Sequence, residues 1–252
     1  MKKWTAVLLT LCLLCPIPGW GVSGNAGDGQ AGLAFILTEA AYVDGGNGLA
    51  LQGVFINATR FSVRGVRTLR LTLNGRDGFV LARTLQGGGL DRLLIPPGGV
   101  RAWETVLDSP IRGKDLSRLD YNVDCDRING QEAVLPRGIR VFCGGRPIHY
   151  DVPPALVEGR TLIPARQTFE EMGAAVHWDE TRRLVTVIRG DRVVEITLDK
   201  HQMRVNGTAV QLDAPARILD GRTLIPLRAV ASALGSTVIW GDEDRMVVIA
   251  DV

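Results

Sequence analysis

The sequence predicts a mainly β chain with an α+β part. An N-terminal antiparallel β-sandwich is followed by a domain of two units, each of short strands and a short helix. Three observations predict this. Segments in the first half alternate apolar and polar residues with period two, the mark of half-buried strands. A gapless internal repeat at an offset of 62 residues occupies the second half: of 47 aligned positions from Gly144 and from Asn206, 15 are identical. The chain has 252 residues and is 46% hydrophobic, ample for buried cores.

The N-terminus, residues 1–24, reads as an export signal. Lys2 and Lys3 precede an apolar run from Ala6 to Cys15, and Pro16, Pro18 and Gly19 end it. About ten apolar residues are too few for a bilayer span, which needs roughly 20. A buried N-terminal helix is the bland alternative. Lipidation at Cys15 is disfavoured because Leu13 and Leu14 precede it, where small residues are needed. A secreted or cell-surface location is therefore expected, with no membrane span in the mature chain. The whole chain carries 29 basic and 27 acidic residues. Without the leader the balance is zero, which argues against a nucleic-acid partner. Residues 25–32 are Gly-rich and read as a flexible linker.

Residues 33–143 read as the sandwich. Ala34–Val43 and Leu49–Asn57 flank a turn-rich Asp-Gly-Gly-Asn-Gly cluster. In Val66–Leu73, Leu69, Leu71 and Leu73 share one face, and Thr68, Arg70 and Thr72 the other. Asn74–Gly78 is hairpin punctuation before Phe79–Arg83. Leu90–Ile95 is expected as a strand ending at Pro96 and Pro97, Val100–Leu107 as another carrying Trp103, and Asp115–Tyr121 as the close of the region. About seven short strands at this spacing suggest a sandwich. Cys125 and Cys143, two cysteines in an exported chain, are most simply a disulfide, worth about 3 kcal/mol for such a loop. A metal pair and free thiols are the alternatives.

Asn57, Thr59, Ala82, Arg83, Ile95, Pro96, Trp103 and Leu116 sit where this region resembles the SLAP domain of bacterial envelope and S-layer-associated proteins. The resemblance implies a binding or structural module without an active site.

Residues 144–252 hold the repeat, divided as 144–205 and 206–252. Gly159, Arg160, Thr161 and Pro164 recur as Gly221, Arg222, Thr223 and Pro226, Arg166 as Arg228, and Trp178 as Trp240. Each unit reads as a tight turn at an acid–Gly pair, a short strand, and a helix with Pro at its first position. A Gly stop follows (Gly173, Gly235), then a hairpin. Leu227, Val230, Ala231 and Leu234 fall on one helical face. Such units need each other to bury a face. Val205–Val210 and Gly221–Arg228 closely resemble the copper amine oxidase N-terminal-like, or stalk, domain of bacterial secreted proteins. The first unit departs from that pattern, with Gly144-Gly145 in place of Asn-Gly and Ala165 in place of Leu.

That resemblance implies no enzyme. His149, His177 and His201 are far apart and form no copper-ligand pair, so neither a metal nor another cofactor is expected. Gly87–Gly89 lacks the Lys-Ser/Thr of a phosphate loop, and no nucleophile motif is complete. Arg166 and Arg228 read first as structural ion-pair or helix-start residues. The sharper alternative makes them guanidinium forks for an anionic wall polymer. Trp178 and Trp240 read as core before sugar-stacking platforms. Arg60, Arg64, Arg67 and Arg70 read as an exposed sheet face. The sequons at Asn57 and Asn206 fall at positions with strand and turn roles. The expected function is a non-catalytic envelope protein that binds or spaces at the cell surface, on wall polymer or S-layer, with envelope proteins as further partners. The alternatives are an accessory or inhibitory subunit docking onto a secreted enzyme, and an unrecognised hydrolase.

Overall fold

A computed structural model describes residues 24–26 and 32–251, apart from 109, 110, 117, 118 and 136. The expected leader lies, but for Gly24, outside the described residues. The described residues are mainly β, with two short α-helices among them.

Seven strands form the first module: β1 (Gly24–Ala26), β2 (Leu33–Val43), β3 (Gly48–Asn57), β4 (Phe61–Gly75), β5 (Val80–Leu85), β6 (Val100–Asp108) and β7 (Leu119–Glu132). They make two sheets, β2-β3-β6 and β1-β7-β4-β5. One core from both sheets fills the space between them. Leu69, Leu71 and Leu73 point into it, as their period-two spacing requires. Phe35, Phe55 and Trp103 form an aromatic cluster with ring centroids 4.7 to 6.3 Å apart.

Three features differ from the sequence reading. Gly24–Ala26, in the Gly-rich lead-in, pairs parallel with β7. Leu90–Ile95 is not a strand. Gly87, Gly88 and Gly89 all take positive φ, a 3-10 turn covers Leu90–Arg92, and Ile95 keeps only a bridge to Val63. Between the glycines and Pro96 too little chain remains for a ladder. The longest omission is β7, whose signal was present. Leu119, Tyr121, Val123 and Cys125 alternate with Asp120, Asn122, Asp124 and Asp126. The acids of β7 also pair with two arginines of β4: Arg70 reaches Asp124 at 2.6 Å and Arg67 reaches Asp126 at 3.7 Å. That sheet face is a ladder of exposed ion pairs, not a basic stripe.

The second module contains three sheets. One is β10 (Ala155–Val157), β11 (Arg160–Pro164), β18 (Arg222–Pro226) and β17 (Arg217–Leu219), in the order β10-β11-β18-β17. Another runs β12 (Ala175–Asp179), β13 (Leu184–Arg189), β14 (Arg192–Thr197), β15 (Gln202–Val205) and β16 (Thr208–Gln211) as an antiparallel meander. In the third, β19 (Ser236–Gly241) and β20 (Met246–Asp251) join β8 (Arg140–Cys143) and β9 (Arg146–Pro147). The helices are α1 (Ala165–Glu171) and α2 (Leu227–Ala233). The repeat is a structural dyad. Where β11 meets β18, Ile163 pairs with its own repeat equivalent Ile225, flanked by Leu162↔Pro226 and Pro164↔Leu224. Pro164 and Pro226 close their strands and take the N-cap position, one residue earlier than the first helical position expected. Gly173 and Gly235 take φ of 75° and 87° just past each helix.

The sequence reading ends the sandwich at residue 143, but β8 pairs parallel with β20 and lies in the sheet of the second module. Its side chains alternate between two cores. Val141 faces the repeat core with Val247 and Ile249, while Phe142 joins a small cluster between the modules. That cluster sets Ala34, Ile56 and Ala58 of the sandwich against Met246, Val248 and Ala250. Beside it, Arg60 donates from its backbone N at 2.8 Å, and from its guanidinium, to the buried carboxylate of Asp244. Gly98 lies against the Phe142 ring, and Gly241 lies against the Ala58 carbonyl. β20 is thus covered on both faces, which explains its unbroken apolar run Met246–Ala250. The equivalent β13 has Thr186 where β20 has Val248, and Thr186 and Ile188 on its outer face are only partly buried.

The expected Cys125–Cys143 disulfide is corrected: both cysteines are free. Cys125 points from β7 into the sandwich core, whereas Cys143 on β8 packs against the repeat core. Burial pushes the Cys125 thiol up to about 11 and raises that of Cys143. Few thiolates exist at neutral pH, so modification should be slow in the native protein. Alkylation under native conditions should leave both peptides unmodified, and denaturant without reductant should make both alkylatable. Peptides that stay unmodified until reductant is added would restore the disulfide.

Candidate functional site

The repeated Gly-Arg-Thr motif builds a frame. Glu158-Gly159 and Asp220-Gly221 take φ of 53° and 72°, and of 48° and 73°, as two-residue turns between β10 and β11 and between β17 and β18. Successive positive φ is the primed hairpin turn that matches strand twist. Thr161 and Thr223 pair across these hairpins with Leu156 and Ile218. The arginines then cross the dyad reciprocally. Arg160 donates to Asp213 at 3.0 Å, and Arg222 donates to Asp151. The Arg222 contact holds the Asp151 carboxyl below its ordinary range. Arg217 adds a 2.9 Å bridge to Glu158.

This frame borders a groove of about 530 Å³, lined by Trp240, Arg228, Val238, Asp213 and Asp242 of the second unit and by Leu156 and Arg160 of the first, among others. Trp240 packs partly on the repeat core and donates from Nε1 to the Asp242 carboxylate. Its indole face is therefore oriented rather than free to swing. Leu156 stands 62% exposed at the rim. Arg228 forms no ion pair among the described residues, while its equivalent Arg166 lies 3.8 Å from Glu170, one helical turn on. The expectation that both tryptophans are core is modified: Trp178 is 38% exposed, and Trp240 is a half-buried groove wall.

The two copies of the site have diverged. Leu227 and Ala229, which line the groove, correspond to Ala165 and Gln167 in the first unit, and Gln211 corresponds to His149. Gln167 extends its amide toward the His149 carbonyl, with Nε2 at 3.5 Å. A long polar side chain thus stands in one copy where the other has a methyl group. The groove combines an aromatic plane, aliphatic walls and a few fixed polar groups, the usual make-up of a small-ligand or oligomer cleft. Both of its carboxylates already have donors, Asp213 from Arg160 and Asp242 from Trp240.

The histidines do not converge. His177 lies on β12, His149 precedes the first turn motif, and His201 sits before β15 with Nδ1 3.3 Å from the Leu212 carbonyl oxygen. Among the described residues no group of three His, Cys, Asp or Glu side chains could hold a metal, so the donor set does not fit copper. No helix among them is long and apolar enough to cross a membrane. No curated protein matches the chain. Residues 142–249, less than half of the chain but nearly all of the repeat module, match the family model for the copper amine oxidase N-terminal domain. The repeat module is similar to that N-terminal, non-catalytic domain and not to the catalytic one.

Proposed function

We propose that this is a non-catalytic, exported envelope protein whose repeat module holds a surface saccharide polymer in the Trp240 groove. The sandwich, read as SLAP-like, serves as its platform. The observation that supports this most is the groove itself. It offers an oriented indole plane, aliphatic walls and a guanidinium without an ion partner among the described residues. The C–H face of a pyranose packs well on an electron-rich indole. Ring hydroxyls find acceptors in Asp213 and Asp242 and a donor in Arg228.

The test is sedimentation with purified cell wall, compared with capture from a mixed secretome. Wild type should cosediment with wall. Trp240→Ala should lose about tenfold or more in affinity, in line with the cost of removing a stacking aromatic anchor. Trp240→Phe should retain part of it, and melting curves confirm that the variants fold. Capture of one secreted enzyme with no enrichment on wall would overturn the proposal in favour of an accessory subunit.

A further inference from the structure

A second concavity, of about 690 Å³, lies on the outer face of the five-stranded sheet, the face that the sandwich covers on the equivalent hairpin of the other unit. Its floor is Glu195 and Thr197 of β14 beside Gln202 and Arg204 of β15, and the turns at its end bring in Arg182, Lys200 and His201. Arg182, Lys200 and Arg204 have no ion pair among the described residues. Their neighbour Arg183, by contrast, is held by Asp199 at 2.8 Å. Only one acid, Glu195, faces these three cations within the concavity. Unpaired cations in a recess focus a positive field.

The two concavities share a border. Gln211, at the end of β16, lines both the basic recess and the Trp240 groove. An amide that can donate and accept therefore stands at the border of both.

We infer that the two recesses form one track for a single saccharide chain that carries anionic groups, with sugar rings on Trp240 and the charges on Arg182, Lys200 and Arg204. This rests on the saccharide reading of the Trp240 groove and adds to it the charge of the ligand and the path it takes. Carboxylate and phosphodiester groups share the required chemistry, and the sugar rings supply what the aromatic end needs.

The test measures binding of the whole chain to three oligomers of equal length: a neutral β-glucan, a uronate-containing glycan and a sugar–phosphate polymer. Linear polyphosphate, which has no rings, is the fourth probe. At low salt, at least one anionic glycan should bind about tenfold tighter than the neutral one, the sum of a few exposed charge contacts. Raising the salt should erase most of that difference. The double variant Lys200→Ala/Arg204→Ala should bind neutral and anionic glycans alike. Trp240→Ala should weaken every glycan, and polyphosphate should bind more weakly than the sugar–phosphate polymer. If Trp240→Ala abolishes binding but the double variant keeps its preference for charge, the track is wrong and the saccharide groove stands. If the double variant abolishes binding and Trp240→Ala has no effect, the saccharide reading fails and the track with it. Equal affinity of wild type for charged and neutral chains, or no binding of any probe, also overturns the inference.

Discussion

Asn57→Ala should destabilise the sandwich by about 3–5 kcal/mol, read as a fall in the midpoint of urea unfolding. Asn57 is fully buried at the end of β3, and its amide is a hub. Nδ2 donates toward the carbonyls of Phe61, Ile95 and Pro96, at 2.8, 3.2 and 3.2 Å. Oδ1 accepts from the Thr59 backbone N at 3.1 Å and from the Thr59 hydroxyl at 2.7 Å. Alanine removes every one of these partners and leaves several polar groups buried without a donor or acceptor. The cost of such orphans exceeds the net worth of the bonds themselves. Asn57→Asp provides a sharper comparison. It keeps the acceptor toward Thr59 but turns the donor edge into an oxygen facing three carbonyls, so it should be at least as damaging as alanine. A loss below about 1 kcal/mol for Asn57→Ala would show that the loop from Ile95 to Gly99 is held by other means. The same geometry removes Asn57 as a glycosylation acceptor, since its amide is not accessible.

Gly241→Ala should open the joint between the modules. A Cβ at this position falls 1.9 Å from the Ala58 carbonyl oxygen, a backbone atom that cannot swing aside. The intruding methyl has to push β3 and β19 apart. Doing so separates the apolar cluster of Ala58, Met246 and Val248 and draws Asp244 away from Arg60. The expected cost is about 1–3 kcal/mol, typical of overpacking at a tight contact. Its distribution is the informative part. Hydrogen exchange should rise in β20 while the sandwich amides around Leu71 stay protected, and thermal unfolding should broaden or split into two transitions. Gly207→Ala is the control. Its Cβ meets nothing within 4 Å, so the variant bears only the strain of φ 82° and should leave exchange in β20 unchanged. Unaltered exchange in β20 of Gly241→Ala would mean that the joint is softer than its packing implies.

Much of the architecture was legible because it is local. Period two exposed β4, the acid–Gly pairs marked the hairpin turns, and identical residues at a fixed offset revealed the dyad. What was not legible depends on pairing between distant segments. Residues 140–143 gave no local sign that they pair with a strand more than 100 positions later. Even so, the contrast between Val248 and Thr186 at equivalent repeat positions was a signal: only one of the two hairpins is buried on both faces. β7 was missed because its apolar residues alternate with so many acids that the segment reads as loop. Those acids are the counter-ions of the β4 arginines. The cysteines misled because their spacing in the chain carries no information about which core each one enters. For the candidate site, Trp240 and Arg228 were singled out from the repeat alone. The copies differ there by Ala229 against Gln167, a difference that identity counting discards. The basic recess had no sequence signature at all, because Arg182, Lys200 and Arg204 converge only when the meander is built.

The parallel pairing of β8 with β20 has a mechanical consequence. The chain enters the repeat module through β8 and completes it with β20, and the two strands lie side by side pointing the same way. Tension applied between Arg140 and Asp251 therefore runs along the strands. It loads the rungs between Met246↔Arg140 and Ile249↔Cys143 together rather than peeling them one at a time. With the sandwich clamped against the outer face of the same sheet, a pull across the module is borne in shear at its best-buried seam. Under such a pull the module should resist until that seam slips as a whole.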